Sequence, residues 1–156
     1  MATPNFVAGY IVDPKTEKEP LYLLLRRSQS SYLPGIWQMV TGKLNPEESA
    51  SLAVQREVFE ETGLVCKEIY NVDVTMFYDQ LKKRIAFSAN FCAFANYLEP
   101  LTLSPNEHDL YQWCTFSEAL SLLAFPSQKE TLEFISKYYV LEKPHLANIL
   151  KMDALQ

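Results

Sequence analysis

The chain has 156 residues, enough for one ordinary domain with a sizeable core and no disulfide staples. Apolar residues make up 48% of it and charged ones 21%, which excludes a disordered or low-complexity chain. A formal net charge of -5 excludes stable nucleic-acid binding through a broad basic surface, so a polyanionic partner has to be met by a local cation.

Met1 to Asn5 lacks a basic segment leading into an apolar one, and no apolar run reaches the length that spans a bilayer, so neither an export leader nor a membrane segment is expected. Phe6 to Val12 reads as a strand. Pro14 to Pro20 is a charged turn, and Leu21 to Leu25 is a continuous apolar strand ending in Arg26 and Arg27. Ser28 to Gly35 is a loop, Trp37 to Val40 a short extended piece, and Gly42 to Pro46 leads into a helix. Asn45 can cap that helix, Pro46 suits its first position, and Glu48 lies where a capping-box carboxylate reaches back. Ala50, Ala53, Val54 and Val58 recur at spacings of three and four, giving one apolar stripe. Gly63 can end the helix in a left-handed conformation.

Val65 to Val74, Phe77 to Tyr78, Arg84 to Ala95 and Leu110 to Thr115 read as further extended segments, with Lys82, Lys83 and Arg84 a charged hairpin tip. A helix follows from about Ser117 to Ala124. Another opens at Ser127 with Glu130 as its capping partner, and a short helix is expected after Pro144. This order implies a mixed central sheet clasped between helices, an α/β/α sandwich forming a single domain over residues 1–156. Cys66, Cys92 and Cys114 show no metal-binding spacing and read as buried reduced thiols, which favours a cytoplasmic location. The sequence leaves the oligomeric state open, a homodimer included.

The informative stretch is GKLNPEESASLAVQREVFEETGL, Gly42 to Leu64. On a helix Glu57, Glu60 and Glu61 stand at i, i+3 and i+4, so their carboxylates crowd one face. They lie near the helix C-terminus, where the macrodipole favours cations. Two carboxylates about 5.5 Å apart repel by roughly 3 kcal/mol at an effective dielectric of about 20, and by under about 1 kcal/mol when fully wetted. Arg56 is the local offset. A divalent cation turns the repulsion into attraction, and hard Mg²⁺ suits a few carboxylates plus substrate phosphates.

In Gly42, Glu48, Arg56, Glu57, Val58, Glu60, Glu61, Gly63 and Leu64 the chain resembles the Nudix hydrolase family, whose signature is G-x5-E-x7-R-E-U-x-E-E-x-G-U with U a bulky aliphatic residue. A chance match at a given start has odds on the order of one in a billion at average residue usage. The resemblance implies a Nudix-type fold and hydrolysis of a phosphoanhydride bond in a nucleoside diphosphate linked to a further group. It implies that Glu57, Glu60, Glu61 and the Gly42 backbone hold Mg²⁺ or Mn²⁺, and that Arg56 orients a carboxylate. Glu57 or Glu61 is the implied general base. Glu48 is expected to stabilise the loop-helix junction.

Leu25-Arg26-Arg27, Trp37-Gln38-Met39-Val40-Thr41-Gly42 and Glu107-His108 followed by Tyr111-Gln112-Trp113 are similar to bacterial dihydroneopterin triphosphate pyrophosphohydrolases, which also accept dATP. That similarity implies a small nucleoside or pterin polyphosphate as partner. Glu107 would complete the metal site, Arg26 would meet a phosphate, Thr41 would contact substrate and Trp37 would line its pocket. His108, beside Glu107 in a polar loop, reads as structural. Phe125 and Pro126 depart from the smaller or polar residues of that subgroup between the two late helices, which points to an altered base or pterin pocket. Modified nucleoside triphosphates and dinucleoside polyphosphates are the alternative substrates, and a nucleotide-binding module without catalysis is the alternative class.

Overall fold

The computed structural model describes residues 3–150. Seven strands form one mixed sheet: β1 Phe6–Asp13, β2 Leu21–Arg27, β3 Trp37–Gln38, β4 Val40–Lys43, β5 Glu68–Asp79, β6 Arg84–Phe94 and β7 His108–Cys114. β1 runs parallel to β6 and antiparallel to both β2 and β4. β2 also pairs antiparallel with β3 and β7, and β5 with β6. β1 therefore has two neighbours on one side, and the sheet splits between β2 and β4. Clefts of this kind are where a mixed sheet can expose backbone and side chains to a ligand.

Both faces of the sheet are covered. α1, Ala50–Thr62, lays Ala53, Val54 and Val58 against Val7, Ile11 and Val40. On the other face, α2 Phe116–Leu122 and α3 Pro126–Ile135 cover Tyr10, Val12 and Leu24 with Ala119, Leu132 and Ile135. The result is the α/β/α sandwich expected from the element order. Each fully buried aliphatic side chain contributes about 1.5–3 kcal/mol, so two packed faces supply the core. No helix among the described residues is long and apolar enough to cross a membrane.

Several boundaries differ from expectation for identifiable reasons. α1 does not begin at Asn45-Pro46. Its N-cap is Ser49, whose hydroxyl accepts from the Leu52 N–H at 3.2 Å, because Glu47 sits at φ 63 and interrupts the helical path. The Glu48 carboxylate does reach back to the Asn45 N–H, at 2.9 Å, but within a turn that precedes the helix. Gly63 ends α1 at φ 76 with its N–H on Phe59 O, as the sequence suggests. Trp37 to Val40 is not one piece: β3 pairs with β2, and after Met39 the chain joins β1 as β4.

β5 is one continuous strand with a bulge between Asn71 and Asp73, beginning at Glu68 rather than Val65. The tip Gln80 to Lys83 is the charged hairpin turn anticipated. α2 starts one residue earlier than expected and is held by a capping box between Thr115 and Glu118. α3 opens on Pro126 without a side-chain cap, so the expected Ser127–Glu130 box does not form. It runs on into a π-helical turn, Ser136–Leu141, and the tail holds a single 3-10 turn, Leu146–Asn148. Cys66, Cys92 and Cys114 are free and buried, and burial pushes each thiol up, Cys114 to about 11.

Candidate active site

The signature acids are organised by Arg56. Its guanidinium donates to both Glu48 oxygens at 2.8 and 2.9 Å, to Glu57 Oε1 at 2.7 Å, to Glu60 Oε2 at 3.2 Å and to the Lys43 carbonyl at 2.9 Å. A planar fork with five N–H donors makes such a hub possible, which an ammonium could not. Glu48 therefore belongs to the junction between loop and helix, and Arg56 holds its carboxyl below the usual range.

The three signature glutamates occupy different environments. Glu60 is exposed, with 54% of its side chain accessible. Glu57 is buried against Gly42, where a Cβ would overlap the Glu57 carboxyl carbon. Gly42 thus makes room for a carboxylate. Burial raises the Glu57 carboxyl, Arg56 opposes that rise, and Glu60 and Glu107 add to it.

Glu61 is 1% exposed, and its Oε2 has no hydrogen-bond partner. Burial first, then the charges of Glu57 and Glu107, push its carboxyl up to about 10. The Thr41 backbone N–H and the Arg27 charge work the other way. His108 Nδ1 lies 3.5 Å from Glu61 Oε1. Burial and then Arg27 push the imidazole down to about 4, so this contact is not an ion pair near neutral pH. Ligand atoms of Glu61, Glu107 and His108 all lie within 4.8 Å of one another.

Glu107 reaches this point because its loop is stapled to the end of β2. Ser28 N–H donates to Glu107 O at 2.9 Å, Ser28 Oγ donates to Asn106 O at 2.8 Å, and the loop closes through Ser104 O. His108 is the first residue of β7 and is buried, not a solvated loop residue. Its partner in the sheet is Arg27, across an irregularity that skips Asp109. The skipped Asp109 pairs with Arg26 through two hydrogen bonds of 2.8 and 3.0 Å. Thr41 Oγ1 accepts from Gln38 Nε2 at 3.3 Å, and Trp37 packs beside the core under α2 and α3.

These residues fit a hard divalent cation. Glu61 keeps one buried oxygen unpartnered and feels the charges of two further acids, and the adjacent Arg56 is already committed to five contacts. Oxygen-rich sites of this type suit Mg²⁺ or Mn²⁺.

The family model described as the NUDIX domain matches residues 3–136. The chain belongs to the NUDIX family. Among curated relatives, a CTP pyrophosphohydrolase of Escherichia coli K12 is 29% identical over 75% of this chain and 83% of its own length. An octanoyltransferase of Myxococcus xanthus is 30% identical over 74% of this chain, which spans only 32% of that protein. The dihydroneopterin triphosphate pyrophosphohydrolase of E. coli superposes with a TM-score of 0.70 at 21% identity, covering 90% of this chain and 99% of that one. At that identity the likeness concerns the fold.

In this NUDIX chain the signature gathers Gly42, Glu48, Arg56 and Glu57 into one network. Sequence reasoning passed over Arg27 and Gln38. Alternation along β2 was the available signal for Arg27, since Arg26 and Arg27 must point to opposite faces. Gln38 gave no signal of its own.

Two expected outcomes arise here. Gly42→Ala forces the Glu57 carboxyl aside, and steady-state assays should show kcat lowered by about 10²-fold, the scale of small displacements at a reacting site. Thermal melts should show little change, because the displaced side chain can move toward solvent. The second concerns pH. The folded Glu61 value lies above the unfolded value of about 4.3. Its proton therefore stabilises the metal-free protein fully below about pH 4, and that contribution is lost as pH rises toward about 10. Melts in chelator from about pH 5 to about pH 9 should show a falling Tm, with a flatter profile in Glu61→Gln. An equal slope in both proteins would sink this assignment.

Proposed function

We propose that the chain is a divalent-metal-dependent pyrophosphohydrolase. It would cut a phosphoanhydride bond in a nucleoside triphosphate or nucleotide-like triphosphate, with dihydroneopterin triphosphate and dATP the favoured substrates. The observation that carries this reading is the buried Glu61 carboxyl of the NUDIX signature, unpartnered at Oε2 and raised by the charges of Glu57 from the same helix and Glu107 from the loop before β7.

When bound, Mg²⁺ or Mn²⁺ lowers the pKa of water and neutralises charge on the bridging phosphate oxygens. Glu57, Glu61 and Glu107 supply oxygen ligands, with Glu60 at the solvent edge and the Gly42 backbone close by. Arg56 fixes Glu57 and Glu60 so that their lone pairs converge. Glu57 or Glu61 takes the proton of the attacking water. Thr41 and Trp37 flank the substrate, and Arg26 meets a phosphate once its pairing with Asp109 opens. The buried free thiols support a reducing, cytoplasmic setting.

The 29% identity to a CTP pyrophosphohydrolase favours a second reading, in which the nucleoside is a pyrimidine. The test is a substrate panel with Mg²⁺ or Mn²⁺: dihydroneopterin triphosphate, dATP, CTP, an oxidised purine triphosphate and diadenosine tetraphosphate, followed by phosphorus NMR. Pyrophosphate release from the pterin substrate or dATP supports the first reading, and from CTP alone the second. Turnover of diadenosine tetraphosphate alone removes both, and no turnover at all removes the enzyme.

A further inference from the structure

We propose that Gln38 and His108 form a hydrogen-bond relay that fixes the imidazole as its Nδ1–H tautomer and thereby positions Glu61. Both are positioning residues for the hydrolytic site. This inference rests on the pyrophosphohydrolase reading above.

The relay begins at Gln38, at the end of β3 and buried. Its carboxamide nitrogen lies 3.3 Å from Thr41 Oγ1 and 3.4 Å from His108 Nε2. An amide nitrogen donates and never accepts, so the imidazole nitrogen it faces carries a lone pair. The one ring proton then resides on Nδ1. Nδ1 stands 3.5 Å from Glu61 Oε1, while Nδ1 and Glu61 Oε2 lack hydrogen-bond partners.

The opposite amide orientation is the alternative, because carboxamide oxygen and nitrogen are assigned from their surroundings. In the cation-loaded site, where Glu61 is held ionised, it would place the ring proton on Nε2 and leave a bare Nδ1 lone pair against the carboxylate, among side chains of which His108 and Glu61 are each 1% exposed. Two facing lone pairs without a proton between them are costly away from water. The Nδ1–H tautomer removes that cost. It engages Glu61 through Oε1 and leaves Oε2 free to turn toward a cation.

At 3.5 Å the Nδ1 contact is longer than a closed hydrogen bond. Contacts of this kind tighten when the reacting complex forms. The sheet supplies the rigidity: His108 is set by its pairing with Arg27, and Gln38 by its pairing with Leu25.

Two amide substitutions separate the ring nitrogens. The shorter side chain of His108→Asn would bring its amide to the Nδ1 position, whereas His108→Gln places its amide near Nε2.

The test uses the full chain. In the Mg²⁺-loaded wild type, nitrogen NMR should show His108 protonated at Nδ1 and bare at Nε2. Titration with Mn²⁺ followed by electron paramagnetic resonance should leave His108→Asn within about threefold of wild type. His108→Gln should bind about 10–100-fold more weakly, the usual loss when a group that orients a ligand is removed. kcat should follow the same ranking, with KM changing less.

A proton on Nε2, equal Mn²⁺ affinity in both variants, or nitrogen hyperfine coupling from His108 to Mn²⁺ would each overturn the relay. The last would make His108 a direct ligand. If the tautomer and the affinity ranking hold but wild type cleaves no triphosphate, the relay stands and the hydrolase reading alone fails.

Discussion

Glu61→Gln is expected to lower kcat by about 10³-fold or more, within the range attributed to a lost proton acceptor or a disturbed metal ligand. The substitution keeps the size and shape of the side chain and removes its charge. In chelator the variant should melt at or above the wild-type temperature at neutral pH, because the wild-type carboxyl is buried with its Oε2 unpartnered. Added Mg²⁺ should raise the wild-type Tm clearly and that of the variant little, since cation binding stabilises only the state that holds it. Initial-rate assays and melts with and without Mg²⁺ measure both arms. Wild-type turnover in Glu61→Gln would remove Glu61 from the metal site and with it the central premise of the proposed function.

Arg56→Ala is expected to lower kcat/KM by about 10–100-fold, as for other residues that orient ligands without binding the reacting atoms. It should also destabilise the fold by about 2 kcal/mol, the scale of hydrogen bonds to charged groups lost when one partner is removed. The reason lies in its five contacts: without the guanidinium, Glu48, Glu57 and Glu60 face each other uncompensated and the Lys43 carbonyl loses its donor. Arg56→Lys retains the charge but cannot bridge Glu48 through two oxygens while reaching Glu57, so it should fall between the two. Kinetics and denaturant melts decide. A variant within twofold of wild type in both would show that the acids are held by something other than Arg56.

Glu48 illustrates how a correct local reading can serve a different structure. Its carboxylate does bond the Asn45 N–H, as a capping box requires, yet the helix begins only after Ser49. The same carboxylate is taken by Arg56, eight positions on, so a tertiary ion pair decides the use of a residue that local rules assign to a cap. β5 shows the converse. Asn71 and Asp73 interrupt its apolar pattern, but long pairing with β6 carries the strand across the bulge. His108 looks solvated in the sequence because Pro105, Asn106 and Glu107 precede it. The start of β7 then carries it into the interior.

By itself the sequence determined the acidic helix, its apolar stripe, its stop at Gly63 and the cation-seeking spacing of Glu57, Glu60 and Glu61, because all of these follow from a helical repeat acting within a few turns. Only the tertiary structure decided which acid is buried and what surrounds it. Glu107 and His108 reach Glu61, and Gln38 reaches His108, from separate segments through the pairing of β2 with β3 and β7. Such pairing joins residues 70 positions apart, and no local propensity encodes a contact whose partner lies that far along the chain.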